Sequence, residues 1–372
     1  MTPSRLPLSL VALTAALIVV PARSAAQVAR TGVVFESFSF GSGLAFDRIS
    51  ELTIPISVTQ RLGRRVTLDI GTAYASASVR EAGSGNTITH AGFVDTDVRA
   101  AVSLIPGRLL ATLVGSLPTG ATEVPDTTIP LFGATATDLL GFATPSFGSG
   151  GGISAGLASA FKLGERWAGG TGASYRYGAS YTPVAGGGEL VPGGEIRFRL
   201  GIEGPFGAGG RNYFRSAFVY TNTGANDIGS GRHSVIGDRF LFYAAASMPL
   251  GNGNLSLWGW EMRRMQPSAP DTSTIAVTRG NVMALGARLE RPLSPKLTLA
   301  PMVELRHELT GSATKMVLLG YLVRGGSDLR VRLSPQASLV VQAQLAFGTF
   351  HDGAQSVSVL GPRLGTSIEW SR

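Results

Sequence analysis

The chain has 372 residues, of which 50 are Gly and none is Cys; 44% are hydrophobic, only 15% are charged, and the net charge is +8. A charged fraction so far below the usual ~25% excludes a disordered chain, which needs high charge and low hydrophobicity. The lack of Cys excludes a disulfide framework and any thiolate metal site, and beyond the N-terminus no run of about 20 apolar residues supplies a membrane helix.

Residues 1–26 carry Arg5, an apolar stretch from Leu6 to Val20, the breaker Pro21 and the small residues Ser24-Ala25-Ala26. This layout predicts a secretory signal peptide over 1–26, cleaved after Ala26. Cleavage removes Arg5 and Arg23 and takes the charge from +8 to +6. In an exported protein that excess predicts no nucleic-acid partner.

Residues 27–372 read as one domain with a period of two. Leu52, Ile54, Ile56 and Val58 alternate with Glu51, Thr53, Ser57 and Thr59. Val94, Val98, Ala100, Val102 and Leu104 alternate with Asp95, Asp97, Arg99 and Ser103, and the run Glu195-Ile196-Arg197-Phe198-Arg199-Leu200 continues the pattern. Leu297, Leu299, Val303 and Leu305 oppose Lys296, Thr298, Glu304, Arg306 and Glu308. Such alternation specifies strands with one apolar and one polar face. Strands are expected at 32–40, 50–60, 65–79, 92–104, 108–117, 151–163, 166–181, 193–204, 211–223, 237–249, 254–265, 280–291, 296–309, 315–333, 337–350 and 355–370. That is about 16 strands, with 14 as the alternative count.

Compact connections such as Leu62-Gly63-Arg64 and Pro106-Gly107-Arg108 alternate with longer ones at 81–90, 118–150, 181–193, 224–237 and 265–280. Short turns at one end and long loops at the other predict an all-β fold, a single antiparallel transmembrane β-barrel with periplasmic turns and extracellular loops. A soluble sandwich would have to bury the charged face, which is costly. In a membrane the faces invert, with the apolar set meeting lipid and the charged set lining a lumen. Trp167, Tyr175, Tyr177, Tyr181, Phe214, Phe218, Tyr220, Trp258 and Trp260 are expected in an interfacial aromatic girdle.

The loop over 118–150 is longer than the ~15 residues that call for a functional explanation. It is apolar, with Ile129, Leu131, Phe132, Leu139, Leu140, Phe142 and Phe147, and it is expected to fold into or over the barrel mouth. Thr137-Asp138 is expected to cap a short helix through Leu140. Ile129, Phe132, Leu139, Leu140 and Phe142 are the candidate constriction residues. Register assigns Asp95, Asp97, Arg99, Arg197, Arg199, Glu304, Arg306, Asp328, Arg330 and Arg332 to the pore lining, among about 11 acidic and 12 basic lumenal groups including Glu261 and Arg263. Two arrangements stay open for them: structural ladders across strands, or a basic strip made by Arg197, Arg199, Arg330 and Arg332.

Taken together, the chain resembles the outer-membrane β-barrels of diderm bacteria. Their last strand usually ends in an aromatic residue; here Leu360, Leu364, Ile368 and Trp370 form such a face, followed by Ser371 and Arg372. The resemblance implies outer-membrane localisation, with outer-membrane lipid and the barrel assembly machinery as partners. Leu117-Pro118-Thr119-Gly120 at a strand exit is similar to the FadL-type channels for hydrophobic compounds, including those linked to aromatic degradation. That implies passive passage of small solutes, hydrophobic or aromatic compounds among them.

The alternatives are a non-conducting structural or adhesion barrel and an outer-membrane lipid hydrolase. A hydrolase needs a Ser–His pair with an orienting group. His90, His233 and His351 fall in expected loops, His307 falls on the apolar face, and no spacing pairs any of them with a Ser such as Ser312. No cofactor and no metal site is expected.

Overall fold

The computed structural model describes residues 27–229, 231–233, 236–267, 279–311, 316–352 and 355–371. The signal peptide reading for 1–26 lies outside them, as do most of the expected loop at 265–280 and Ser312.

Alternation becomes strands along the whole described chain: β1 (Gln27–Phe40), β2 (Phe46–Leu62), β3 (Val66–Glu81), β4 (Thr87–Phe93 and Thr96–Ile105), β5 (Leu109–Leu117), β6 (Gly152–Leu163), β7 (Trp167–Gly178) and β8 (Glu195–Phe206). There follow β9 (Asn212–Thr223), β10 (Arg239–Leu250), β11 (Gly253–Arg264), β12 (Arg279–Ser294), β13 (Leu297–Gly311), β14 (Met316–Arg332), β15 (Ala337–Asp352) and β16 (Gln355–Ser371). Both segments of β4 pair with β3, so they are one strand with an interruption at Val94-Asp95. Each strand pairs antiparallel with its neighbours, and β1 pairs with both β2 and β16. The result is a closed antiparallel barrel of 16 strands, and closure removes the edges that a bilayer cannot solvate.

Leu157, Leu200 and Leu285 are more than half exposed on the outer face, and similar residues stud most of the other strands. Each would forgo about 1.5–3 kcal/mol of transfer free energy in water. A full belt of them would exceed the ~5–15 kcal/mol net stability of a folded domain. The belt is therefore lipid-facing, and the protein is a transmembrane barrel of the outer-membrane type. No helix among the described residues is long and apolar enough to cross a membrane.

Strand length divides the wall. β5 has 9 residues, close to what a bilayer requires, whereas β2, β14 and β16 have 17. The long strands carry β1–β3 and β12–β16 beyond the membrane at the loop end. Their inner faces there are apolar: Phe38, Phe40, Ile49, Ala75, Val79, Leu322, Val357 and Val359 are all buried.

Several expectations are corrected. The connection expected at 81–90 shrinks to 82–86, because residues 87–93 extend β4. Helix α1 runs Ile129–Thr135 instead of 137–140. Pro130, with its fixed φ, suits a first helical turn, whereas residues 138–144 spend their backbone groups on the barrel wall. The connection at 224–237 contains a small hairpin, 226–228 with 231–233, and residues 190–191 add a third strand to it. Trp258 and Trp260 face the lumen rather than the lipid boundary, and Glu261 and Arg263 face outward. Bulky residues occupy both faces of Leu257-Trp258-Gly259-Trp260-Glu261-Met262, so alternation alone does not set the register there; Arg264 sets it by reaching inward.

Candidate functional site

The connection between β5 and β6 does not stand over the mouth. It descends into the barrel, and its neck is tied to the β4 interruption. Asp95 accepts hydrogen bonds from Gly120 N (3.2 Å), Ser149 N (2.7 Å) and Ser149 Oγ (2.8 Å), and so joins the two ends of the segment. Thr119 Oγ1 donates to Val94 O at 2.8 Å and Ala121 N to Phe147 O at 3.1 Å. A Cβ on Gly120 would fall 2.0 Å from Phe147 O, so this close approach needs glycine. Within Leu117-Pro118-Thr119-Gly120, Thr119 and Gly120 make the tie.

Beyond the neck, residues 138–144 are clasped by six side chains from five strands. Glu308 on β13 accepts from Leu139 N (2.8 Å), Glu36 on β1 from Ala143 N (2.9 Å), and Glu51 on β2 from Thr144 N (2.8 Å). Arg306 donates to Asp138 O (2.9 Å) and Arg324 on β14 to Leu140 O (3.0 Å). Arg264 on β11 pairs with both Asp138 and Glu308. Glu36 and Glu51 are 1% exposed, so the bonds they accept from the segment are made away from water, and a lost partner there is not replaced by solvent. Charge-assisted bonds of this kind are about twice as strong as neutral ones.

Above the clasp, the segment's apolar side chains meet the apolar inner wall. Phe142 packs edge-on against Phe38 with ring centroids 5.3 Å apart. Leu131, Leu139, Leu140 and Phe147 are buried in the same cluster. His90, expected in a solvated loop, lies on β4 and faces inward, edge-on to Phe132 at 5.2 Å and Phe147 at 4.9 Å. Of the five candidate constriction residues, Leu139, Leu140 and Phe142 are buried, Phe132 is half-buried against this cluster, and Ile129 is exposed at the start of α1.

Beside the inserted segment a cavity of about 700 Å³ lies along β4–β8, lined on the segment's side by Ser146, Gly148 and Ser149. Asp95, Asp97, Arg99, Arg197 and Arg199 all line it, as does Arg176. The other predicted pore-lining residues lie on the opposite wall. There Arg306 pairs with Glu304 at 2.8 Å and sits over the Trp260 ring at 5.6 Å. Asp328 accepts from Arg288 (2.6 Å) and Gln342 (3.1 Å). Arg330 pairs with Glu369 at 2.9 Å, Glu369 pairs with Arg30 at 2.7 Å, and Arg332 lies exposed at the turn end of β14. Arg197 and Arg199 on β8 are thus six strands away from Arg330 and Arg332 on β14, and the four do not form one strip.

Glu36, Arg264, Arg324 and Arg363 were absent from the sequence-derived lining. Arg324 and Arg363 share register with Asp328 and Glu369, so alternation carries their signal. Glu36 is hidden by the apolar Val34 and Phe38 on its own face, and Arg264 by the ambiguous register of β11. Among the described residues no cluster of three or more His, Cys, Asp or Glu could hold a metal ion.

No family model matches the chain, and no curated protein matches it. Among solved structures it is similar to a bacterial polysaccharide outer membrane secretin, with 8% identity over 92% of this chain and 97% of that one, at a TM-score of 0.46. It is similar to the outer membrane protein OpdK of Pseudomonas aeruginosa, with 11% identity over 94% and 99% and a TM-score of 0.45. It is also similar to the monoaromatic hydrocarbon channel CymD, with 12% identity over 92% and 88% and a TM-score of 0.42. Likeness at these identities and scores carries no argument about solute or mechanism. The closed sheet with its lipid-facing belt is what identifies the chain as an outer-membrane-type β-barrel.

Proposed function

We propose that the protein is an outer-membrane channel for passive passage of small solutes, exported by its first 26 residues, with the inserted segment between β5 and β6 as its constriction. One observation carries this reading: the segment fills one side of the lumen and leaves a cavity of about 700 Å³, with charged groups in its lining, on the other. A barrel of this strand number encloses open space unless something fills it, and here the filling is partial. The C-terminal face of Leu360, Leu364, Ile368 and Trp370 supports recognition by the assembly machinery, and the apolar belt supports a shell of outer-membrane lipid.

The lining favours solutes that carry charge. Apart from Val94, Leu110, Val114 and small residues, the inward side chains are Arg, Asp, Ser and Thr, groups that need a polar partner in the solute. The FadL-like tetrapeptide therefore supports the neck of the inserted segment better than it supports a hydrophobic route. Reconstitution in planar bilayers tests the proposal. Stepwise single-channel conductance is expected; silence at all voltages would favour the non-conducting barrel, with the clasp and ladders as pure scaffold.

A further inference from the structure

The charged groups of the lumen divide into those with protein partners and those without. Around the cavity, Asp95 is committed to the neck of the inserted segment. Arg197 is tied to Glu195, which also binds Arg239. For Arg99, Arg176 and Arg199 the described residues supply no hydrogen bond and no ion pair. Arg99 and Arg199 are exposed, yet register turns both toward the inside of a closed barrel: Arg99 is opposite the lumenal Asp69, and Arg199 is opposite Gly172 between inward-facing Ser174 and Gly170. The charge of Arg199 lies within electrostatic range of those of Arg197 and Arg99. Like charges gathered on one wall raise the potential there, and low-dielectric walls focus it.

The cavity lining thus holds four guanidinium groups and two carboxylates; Asp95 is committed to the neck and Arg197 to Glu195, which leaves Arg99, Arg176 and Arg199 with Asp97, and with Asp69 beside Arg99 on the next strand. Planar guanidinium forks match carboxylate and phosphate oxygens in a bidentate way. A cavity of about 700 Å³ is in the range that takes a small organic ligand, and Leu110 and Val114, the latter directly beside Arg99 on the next strand, offer it an apolar flank.

We infer that Arg99, Arg176 and Arg199 form a binding station for a small oxyanion-bearing solute, a carboxylate or a phosphate. The inference rests on the channel reading and names its solute class.

The test uses the full-length protein folded in detergent and in planar bilayers, with benzoate, inorganic phosphate and the neutral analogue benzyl alcohol as probes. Benzoate or phosphate is expected to reduce KCl conductance in a concentration-dependent way, while benzyl alcohol has no such effect; the stronger of the two anions identifies the oxyanion. The triple variant Arg99→Gln/Arg176→Gln/Arg199→Gln is expected to raise the half-blocking concentration about a hundredfold or more, since a lost charge-assisted bond is worth about one decade. Arg30→Gln, which removes a positive charge paired elsewhere in the lumen, controls for net charge and is expected to shift it little. Equal effects of benzoate and benzyl alcohol, or a triple variant that responds as wild type does, would overturn the site. Calorimetric titration of benzoate and phosphate into the solubilised protein separates the two readings. Anion binding lost in the triple variant without any conductance would sink the channel and keep the site; conductance without anion binding would do the reverse. If the triple variant does not fold, Arg199→Gln alone gives the same comparison with a smaller shift.

Discussion

The two walls of the lumen are built from the same residue types and differ in what those residues touch. Along β1, β2 and β11–β16 nearly every inward charge meets another charge or a peptide group of the inserted segment, as Glu36, Glu51, Arg264, Arg306, Glu308 and Arg324 do. Along β4–β8, Arg99, Arg176 and Arg199 face the cavity with no hydrogen bond or ion pair among the described residues. Charge in the first wall holds structure in place; charge in the second stays available to a solute. Counting acids and bases along the strands, which gives near equality, conceals this division because it ignores partners.

Removing the segment between its two ties should blur the comparison most. A variant lacking 122–146 keeps the Asp95 anchors at Gly120 and Ser149, and its single-channel conductance is expected to rise several-fold. Unchanged conductance would mean that the segment does not narrow the passage. Glu308→Ala comes next. It orphans Leu139 N and one contact of Arg264 in a buried setting, and breaking such a buried pair costs about 3–5 kcal/mol. Faster hydrogen exchange at the Leu139 amide, with the strand amides of β13 still protected, is the expected signature.

Gly141→Ala sharpens the same wall by a smaller amount. Gly141 has φ +63°, and a Cβ there would fall 1.9 Å from Arg306 Nη1. Strain of about 1–3 kcal/mol follows, and loosening of the Arg306 contact should show as flicker between conductance levels. Trp260→Leu is the mildest change. It removes the ring under Arg306 at a cost of about 0.5–2 kcal/mol, to be read as a small fall in the denaturant midpoint with the conductance level kept.

Much of the wall is legible in the amino-acid sequence, and the reason is local. In β13, Leu299, Val303 and Leu305 must meet lipid while Glu304, Arg306 and Glu308 meet the lumen, so period two is enforced residue by residue. Legibility fails where the pattern inverts or both faces are bulky. In the outer half of β4, Ile88 and His90 turn inward while Thr87 and Thr89 are exposed, just as Ala75, Ala77 and Val79 on β3 turn inward against Ser76, Ser78 and Arg80, the reverse of the lipid-facing alternation. The clasp left no trace for a different reason. Its contacts join residues as far apart as 140 and 324 and end on backbone atoms, which no side-chain pattern records.

That preference for peptide groups has an evolutionary consequence. The wall reads the path of residues 138–144 through their amides and carbonyls, so Leu139, Leu140 and Phe142 can be exchanged for other apolar residues of similar bulk without disturbing Glu36, Glu51 or Glu308. Drift in the segment would then erase recognisable similarity between related chains long before it altered how deep the segment sits, with Gly141 the position least free to wander.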